Sequence, residues 1–86
     1  MTRFEIEDQV KKSLMNVVGI DSSQVNMDSQ LVNDVGLDSF SSLELFFELE
    51  EKWNINISTD EAKSFKTVRD VCNCIEIKLK SKKGSE

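Results

Sequence analysis

The feature that most constrains the fold is the recurrence of apolar residues at spacings of three and four, in an 86-residue chain without proline. Such spacing places apolar side chains on one face of a helix. A chain of this length supports one core of marginal size, and without disulfides or a metal it depends on helices that pack through their apolar faces. We therefore predict a single all-α domain over residues 1–80 and a disordered basic tail over 81–86.

Capping residues divide the chain into four helices. Thr2 and Glu5 have the form of a capping box, and helical apolar spacing continues to Gly19, so the first helix is predicted over about Arg3 to Val18. A long polar connection follows. Its isolated apolar residues are expected to pin it across the bundle; they are Val25, Leu31, Val35 and Leu37.

Three further helices are predicted after this connection. The second runs from Ser39 to about Trp53, and a second capping box at Ser58 opens a short third helix that ends near Phe65. Thr67 then caps a fourth helix, which is predicted to end near Lys80. The predicted architecture is a four-helix bundle with a long first loop and a short third helix.

The second helix combines a narrow anionic face with a broad apolar arc. Its wheel aligns four polar side chains at the spacing i, i+3, i+7 and i+10, namely Ser41, Glu44, Glu48 and Glu51. The apolar arc predicts that this helix forms the centre of the core, with Phe46, Phe47 and Trp53 as core residues. Repulsion between the glutamates is tolerable if a basic partner relieves it.

Ser39 is placed at the N-terminus of this helix, where backbone N–H groups lack intrahelical partners and the dipole favours a phosphate. A nucleophilic serine needs a base, and the sequence contains no histidine. Ser39 is therefore predicted to be an attachment point and the chain not to be an enzyme. The alternative is an ordinary helix start capped by Asp38. Ser41 and Ser42 compete as hydroxyls, but they lie further into the helix.

Cysteine and charge content exclude several classes of protein. The two cysteines, Cys72 and Cys74, have no further cysteine or histidine to complete a zinc site, and no metal is expected. They are read as reduced thiols of a cytoplasmic protein, with Cys72 in the core. No stretch is apolar enough to span a bilayer. The net charge of −5, with nine acids and one base between Asp28 and Glu61, indicates basic protein partners and no nucleic acid.

The segment from Asn33 to Leu45 resembles the signature of acyl carrier proteins. It reads Asn-Asp-Val-Gly-Leu-Asp-Ser-Phe-Ser-Ser-Leu-Glu-Leu, in which a glycine turn precedes Asp38-Ser39 and an acidic helix follows. The resemblance covers roughly Glu5 to Lys80. It implies the same four-helix bundle, and it implies that Ser39 carries 4'-phosphopantetheine, taken from coenzyme A by a phosphopantetheinyl transferase.

The resemblance also implies roles for the acids of the second helix. Glu44, Glu50 and Glu51 match acids that meet basic patches on acyl-loading and acyl-processing enzymes, and Glu48 is an additional acid in this chain. Asp38 matches the acid beside the modified serine. The implied function is a monomeric shuttle that holds acyl groups as thioesters for fatty-acid or related lipid and polyketide synthesis.

Two departures from the family pattern leave the cargo open. Phe40 stands where leucine is usual, and Ser41 stands where an acid is common. Asp-Ser-Phe also resembles the triplet of D-alanyl carrier proteins, so an aminoacyl or D-alanyl cargo is an alternative. A third hypothesis, from a different class, is an acidic helical adaptor that is never modified.

Overall fold

A computed structural model describes residues 2–84. Four α-helices follow one another along the chain, with a 3-10 turn at Ser22–Gln24 in the first connection: α1 spans Arg3–Val18, α2 Ser39–Trp53, α3 Thr59–Ser64 and α4 Val68–Gly84. The predicted all-α bundle with a long first loop and a short third helix is confirmed.

The first and third helices begin at the capping residues from which the sequence predicted them. The Thr2 hydroxyl accepts from the Glu5 backbone N–H at 3.2 Å, while Glu5 accepts from the Thr2 N–H at 2.9 Å. Ser58 and Glu61 form the same reciprocal pair at the start of α3. Each pair satisfies backbone donors that the first turn of a helix leaves free. The first helix ends at Gly19, whose φ of 81° lies in the left-handed region that glycine adopts without strain.

The core lies where α1 packs against both α2 and α4. Its fully buried side chains include Val10 and Leu14 from α1, Leu45 and Leu49 from α2, and Ile75 from α4. Each contributes roughly 1.5–3 kcal/mol of burial energy. The predicted place of Cys72 in the core is confirmed, and burial raises the pKa of its thiol to about 11. No helix among residues 2–84 is long and apolar enough to cross a membrane.

The long first loop packs across the bundle through its isolated apolar residues, as the sequence predicted. Those four residues, Val25, Leu31, Val35 and Leu37, are all buried. Backbone bonds also tie the loop to the α3–α4 connection: the Leu31 N–H donates to the Lys66 carbonyl at 2.9 Å, and the Val68 N–H donates to the Ser29 carbonyl at 3.1 Å. These bonds hold the loop, and hence the start of α2, against the far side of the bundle.

The end of α4 differs from the prediction. The helix continues to Gly84, so residues 81–84 are helical where the sequence predicted a disordered tail from residue 81. Lysine is a good helix former, and cations near a helix C-terminus interact favourably with its dipole, so the basic run extends the helix. Ser85 and Glu86 lie outside the described residues.

Candidate functional site

Ser39 is the first residue of α2, and its side chain is exposed to solvent. Gly36, three residues earlier, has a φ of 88° and provides the left-handed turn that directs the loop into the helix. Within the described residues the Ser39 hydroxyl has no hydrogen-bond partner, since the capping bonds are made by its neighbours. The chain therefore presents a free primary hydroxyl at a helix N-terminus.

Asp38 and Ser41 form a reciprocal cap around Ser39. The Ser41 backbone N–H and the Ser41 hydroxyl both donate to Asp38 Oδ1 at 2.8 Å, and the Asp38 N–H donates to Ser41 Oγ at 2.9 Å. The backbone bond from Ser41, and then its hydroxyl, lower the pKa of Asp38. The carboxylate beside Ser39 is thus held ionised and in one orientation. Because Ser41 is engaged in this cap, it is a weaker competitor for modification.

Three large apolar side chains project from α2 into solvent. Phe40, Leu43 and Phe47 are 71%, 70% and 62% exposed and share one helix face at the spacing i, i+3 and i+7. We refer to these three residues as the apolar stripe. The prediction that Phe47 belongs to the core is wrong, whereas Phe46 and Trp53 are buried as predicted. The apolar arc of α2 is wider than the face that α1 and the loop can cover.

The four predicted partner-binding acids do not share one environment. Glu44 and Glu51 are exposed and lie along one edge of the apolar stripe. Glu48 is half-buried and accepts from Asn16 Nδ2 of α1 at 3.4 Å. Glu50 is half-buried at the opposite edge of the stripe, where its Oε2 accepts from the Ile57 N–H at 2.7 Å. The structure therefore leaves Glu44 and Glu51 exposed beside the stripe, whereas the Glu50 side chain is bonded to the α2–α3 connection.

An open groove of about 710 Å³ runs from Ser39 between the loop, α2 and α3. We call it the Ser39 groove. Its lining is mainly apolar and includes Leu31, Leu37, Leu43, Phe46, Ala62 and Phe65. Ser42 also lines it.

The surroundings of Ser39 fit a phosphodiester-linked arm. A free hydroxyl lies at a helix start, which favours a phosphate, and Lys63 lines the same groove and supplies a cation. The apolar groove gives a flexible arm and its cargo a place to lie. Nothing in the sequence singled out Lys63, because the fold brings α3 beside the start of α2. No cluster of metal-ligating side chains is found among residues 2–84.

Comparisons with known proteins agree with this geometry. The family profile described as "Phosphopantetheine attachment site" matches residues 8–75. The acyl carrier protein of Chlamydia caviae is 38% identical over 73 residues, which cover 85% of this chain and 95% of that protein. The acyl carrier protein of Exiguobacterium sibiricum is 34% identical over 79 residues, covering 92% and 100%. A solved structure from Mycobacterium tuberculosis, reported as a candidate acyl carrier protein, superposes with a TM-score of 0.78 at 29% identity and covers 84% of this chain and 96% of that one.

A small helical bundle with an exposed serine at the start of an acidic helix defines a class of carriers, not of enzymes. The chain belongs to the acyl carrier protein family. Its prosthetic group is 4'-phosphopantetheine, and it works with partner enzymes that perform the chemistry.

Proposed function

We propose that Ser39 is the residue that carries the 4'-phosphopantetheine arm. The observation that supports this most directly is the free, exposed hydroxyl at the first position of α2, at the mouth of the Ser39 groove. The Ser39 oxygen would form a new bond to the phosphorus that links pantetheine to the nucleotide of coenzyme A. The bond to the nucleotide breaks, and a base on the phosphopantetheinyl transferase takes the serine proton.

Asp38 would contribute a fixed negative charge beside this hydroxyl. Its orientation is set by Ser41, and the bonds from Ser41 lower its pKa further below neutral pH. A carboxylate held in this way can help to bind the metal that a transferase uses. This role is distinct from the capping role of the same side chain, so a substitution can separate the two.

The docking surface for partner enzymes would be the exposed face of α2. Glu44 and Glu51 lie along one edge of the apolar stripe, so the surface pairs negative charge with apolar contact area. Negative charge of this kind speeds the encounter with a basic patch on a partner. Salt screens this attraction and slows the encounter. Buried apolar area then stabilises the complex. Glu48 contributes to the same negative field from the α1 side, whereas Glu50 faces the α2–α3 connection.

The cargo would be an acyl group held as a thioester for fatty-acid or related lipid or polyketide synthesis. The mainly apolar lining of the Ser39 groove supports an aliphatic cargo. An aminoacyl or D-alanyl cargo is supported by one observation, the triplet Asp38-Ser39-Phe40, which resembles that of D-alanyl carrier proteins. Loading of the arm by purified acyl ligases against aminoacyl ligases separates these two cargoes.

We further infer a cytoplasmic, monomeric carrier domain over residues 1–80. The thiols of Cys72 and Cys74 are both free, as expected in a reducing compartment. The exposed apolar stripe is small and bordered by glutamates, which suits transient docking better than a permanent dimer. Sedimentation velocity of the modified protein tests whether it is monomeric.

Intact mass after incubation with coenzyme A and a broad-specificity transferase tests the attachment site. The wild-type protein should gain the mass of one arm, and Ser39→Ala should gain none. Ser42→Ala is the matched control, because it removes a hydroxyl three residues away in the same groove, and it should be modified like the wild type. An unmodified wild-type protein would instead support the acidic adaptor.

A further inference from the structure

Two charged side chains line the Ser39 groove among the described residues, and they carry opposite charges. Asp38 comes from the start of α2, and Lys63 comes from α3. A phosphodiester on Ser39 would add a negative charge to the same groove. That new charge would be next to Asp38 in the sequence and would be repelled by its carboxylate, so it needs a cation nearby.

The start of α2 has already committed part of its own capacity to bind an anion. Backbone N–H groups in the first turn of a helix lack intrahelical partners and can donate to a phosphate. Here the Asp38 N–H donates to Ser41 Oγ at 2.9 Å, and the Ser41 N–H donates to Asp38 Oδ1 at 2.8 Å. Both donors are engaged in the cap, so part of the countercharge for a phosphate has to come from a side chain.

The ammonium group of Lys63 is free to supply that charge. Lys63 is exposed, and it forms no ion pair with a carboxylate in the part of the chain that the structure describes. The neighbouring α4 differs in this respect, since Lys78 Nζ lies 2.9 Å from the Glu61 carboxylate. An anion that enters the Ser39 groove therefore meets a cation with no competing partner.

The backbone that carries Lys63 is held at both ends of α3. The Ser58 N–H donates to Glu61 Oε1 at 3.0 Å at the start of the helix, and the Lys66 carbonyl beyond its end accepts from the Leu31 N–H at 2.9 Å. The long lysine stem lets the ammonium group follow a phosphate while the backbone stays in place. The mainly apolar lining of the groove also strengthens a charge pair relative to open water.

We propose that Lys63 is a positioning residue for the arm: its ammonium group forms an ion pair with the phosphodiester on Ser39 and directs the arm along α3. This inference rests on the proposed attachment at Ser39. The pair offsets the repulsion between the phosphodiester and Asp38, and no covalent bond is made or broken. Because Lys63 is exposed, salt weakens the pair and loosens the arm.

The test compares the melting temperature of each variant with and without the arm, at low and at high salt. In Lys63→Gln at low salt, the change that the arm causes should be about 1–4 °C less favourable than in the wild type, as for loss of one exposed ion pair. This difference should shrink at high salt. Lys63→Arg keeps the charge and should respond like the wild type. Lys66→Gln is the matched control, because it removes an exposed lysine that does not line the groove.

Nuclear Overhauser contacts give a second readout that does not depend on stability. In the arm-bearing wild type at low salt, the arm protons nearest the phosphate should show contacts with the Lys63 side chain. These contacts should weaken at high salt. The arm should show none with the Lys66 side chain.

The outcomes separate this inference from the proposed function. Intact mass and fragmentation show first where the arm is, and an arm that is absent or on another residue overturns both. With the arm on Ser39, an equal response in wild type and Lys63→Gln overturns the role of Lys63 alone. The same holds for a loss of equal size in Lys66→Gln, which would indicate a general effect of charge, and for absent contacts between the arm and Lys63.

Discussion

The carboxylate of Asp38 and the hydroxyl of Ser41 lie 2.8 Å apart and enclose the start of α2 on either side of Ser39. Ser41 uses both its backbone N–H and its hydroxyl for this contact. It is the third residue of the helix, the N3 position of a capping box, where a serine here replaces the usual glutamate or glutamine. Asp38 consequently has two roles that the structure allows to be separated: it caps the helix, and it carries charge beside the exposed hydroxyl.

Asp38→Asn should leave stability almost unchanged but slow attachment of the arm by about tenfold. Asparagine caps helices as well as aspartate does, so the helix start survives while the charge is lost. Asp38→Ala should lower the melting temperature as well, because it removes the cap. Thermal melting together with the initial rate of arm attachment checks both variants. If Asp38→Asn is modified at the wild-type rate, the charge has no role beyond capping.

Reversal of the exposed acids should weaken partner encounter without affecting the fold. For the double variant Glu44→Lys and Glu51→Lys, we expect association with the transferase to slow by about tenfold at low salt and the difference to shrink as salt rises. Stopped-flow association at several ionic strengths measures this.

Glu50→Lys provides the contrast for that experiment. Glu50 accepts from the Ile57 N–H, so its replacement should lower the melting temperature more than either exposed reversal does. A double variant at Glu44 and Glu51 that binds like the wild type at every salt concentration would contradict the docking role of these two acids.

Phe46 and Phe47 are neighbours in sequence with opposite environments, and their alanine variants should differ accordingly. Phe46→Ala should cost about 3 kcal/mol of unfolding free energy because it leaves a cavity in the core. Phe47→Ala should stay within about 0.5 kcal/mol of the wild type, since its ring is exposed. Urea denaturation measures both. Equal losses in the two variants would mean that the face of α2 has been assigned incorrectly.

The helix starts could be predicted from sequence because their determinants are local. The capping boxes at Thr2 and Ser58 each involve residues three apart, and the buried loop residue Leu31 stands out as an isolated apolar side chain in a polar segment. The position of Ser39 at the start of α2 follows from the same kind of local signal.

The environments of Phe47 and Glu50 could not be predicted because they depend on what packs against α2. An apolar residue on a helix is buried only if another element covers that side, and the order of residues along one helix does not reveal its neighbours. Glu50 bonds to Ile57, seven residues away and beyond the end of α2, so no helical spacing indicates the contact. Lys63 reaches the Ser39 groove only through the placement of α3.

Acid should destabilise the fold in part through Glu61. The backbone N–H of Ser58, and then the ion pair with Lys78 at 2.9 Å, lower the pKa of Glu61 from 4.5 to about 2. Because the folded-state pKa lies below the ordinary value, this stabilisation is complete above about pH 5 and is lost as the pH falls from about 4.5 towards 2.

Glu61→Gln tests that contribution. The variant should melt below the wild type at pH 6, and the two melting temperatures should converge as the pH approaches 2. Lys78→Met removes the ion pair but keeps the bond that the Ser58 N–H donates to the Glu61 carboxylate, so it should show a smaller difference from the wild type at pH 6. A constant gap between wild type and Glu61→Gln at all pH values would contradict the lowered pKa.

Fragmentation mass spectrometry of the modified wild-type protein tests the central claim most directly. After incubation with coenzyme A and a transferase, the peptide that spans Asp38, Ser39, Ser41 and Ser42 should carry one phosphopantetheine arm, and the fragment ions should place it on Ser39. An arm located on Ser41 or Ser42, or a peptide that remains unmodified, would contradict the account.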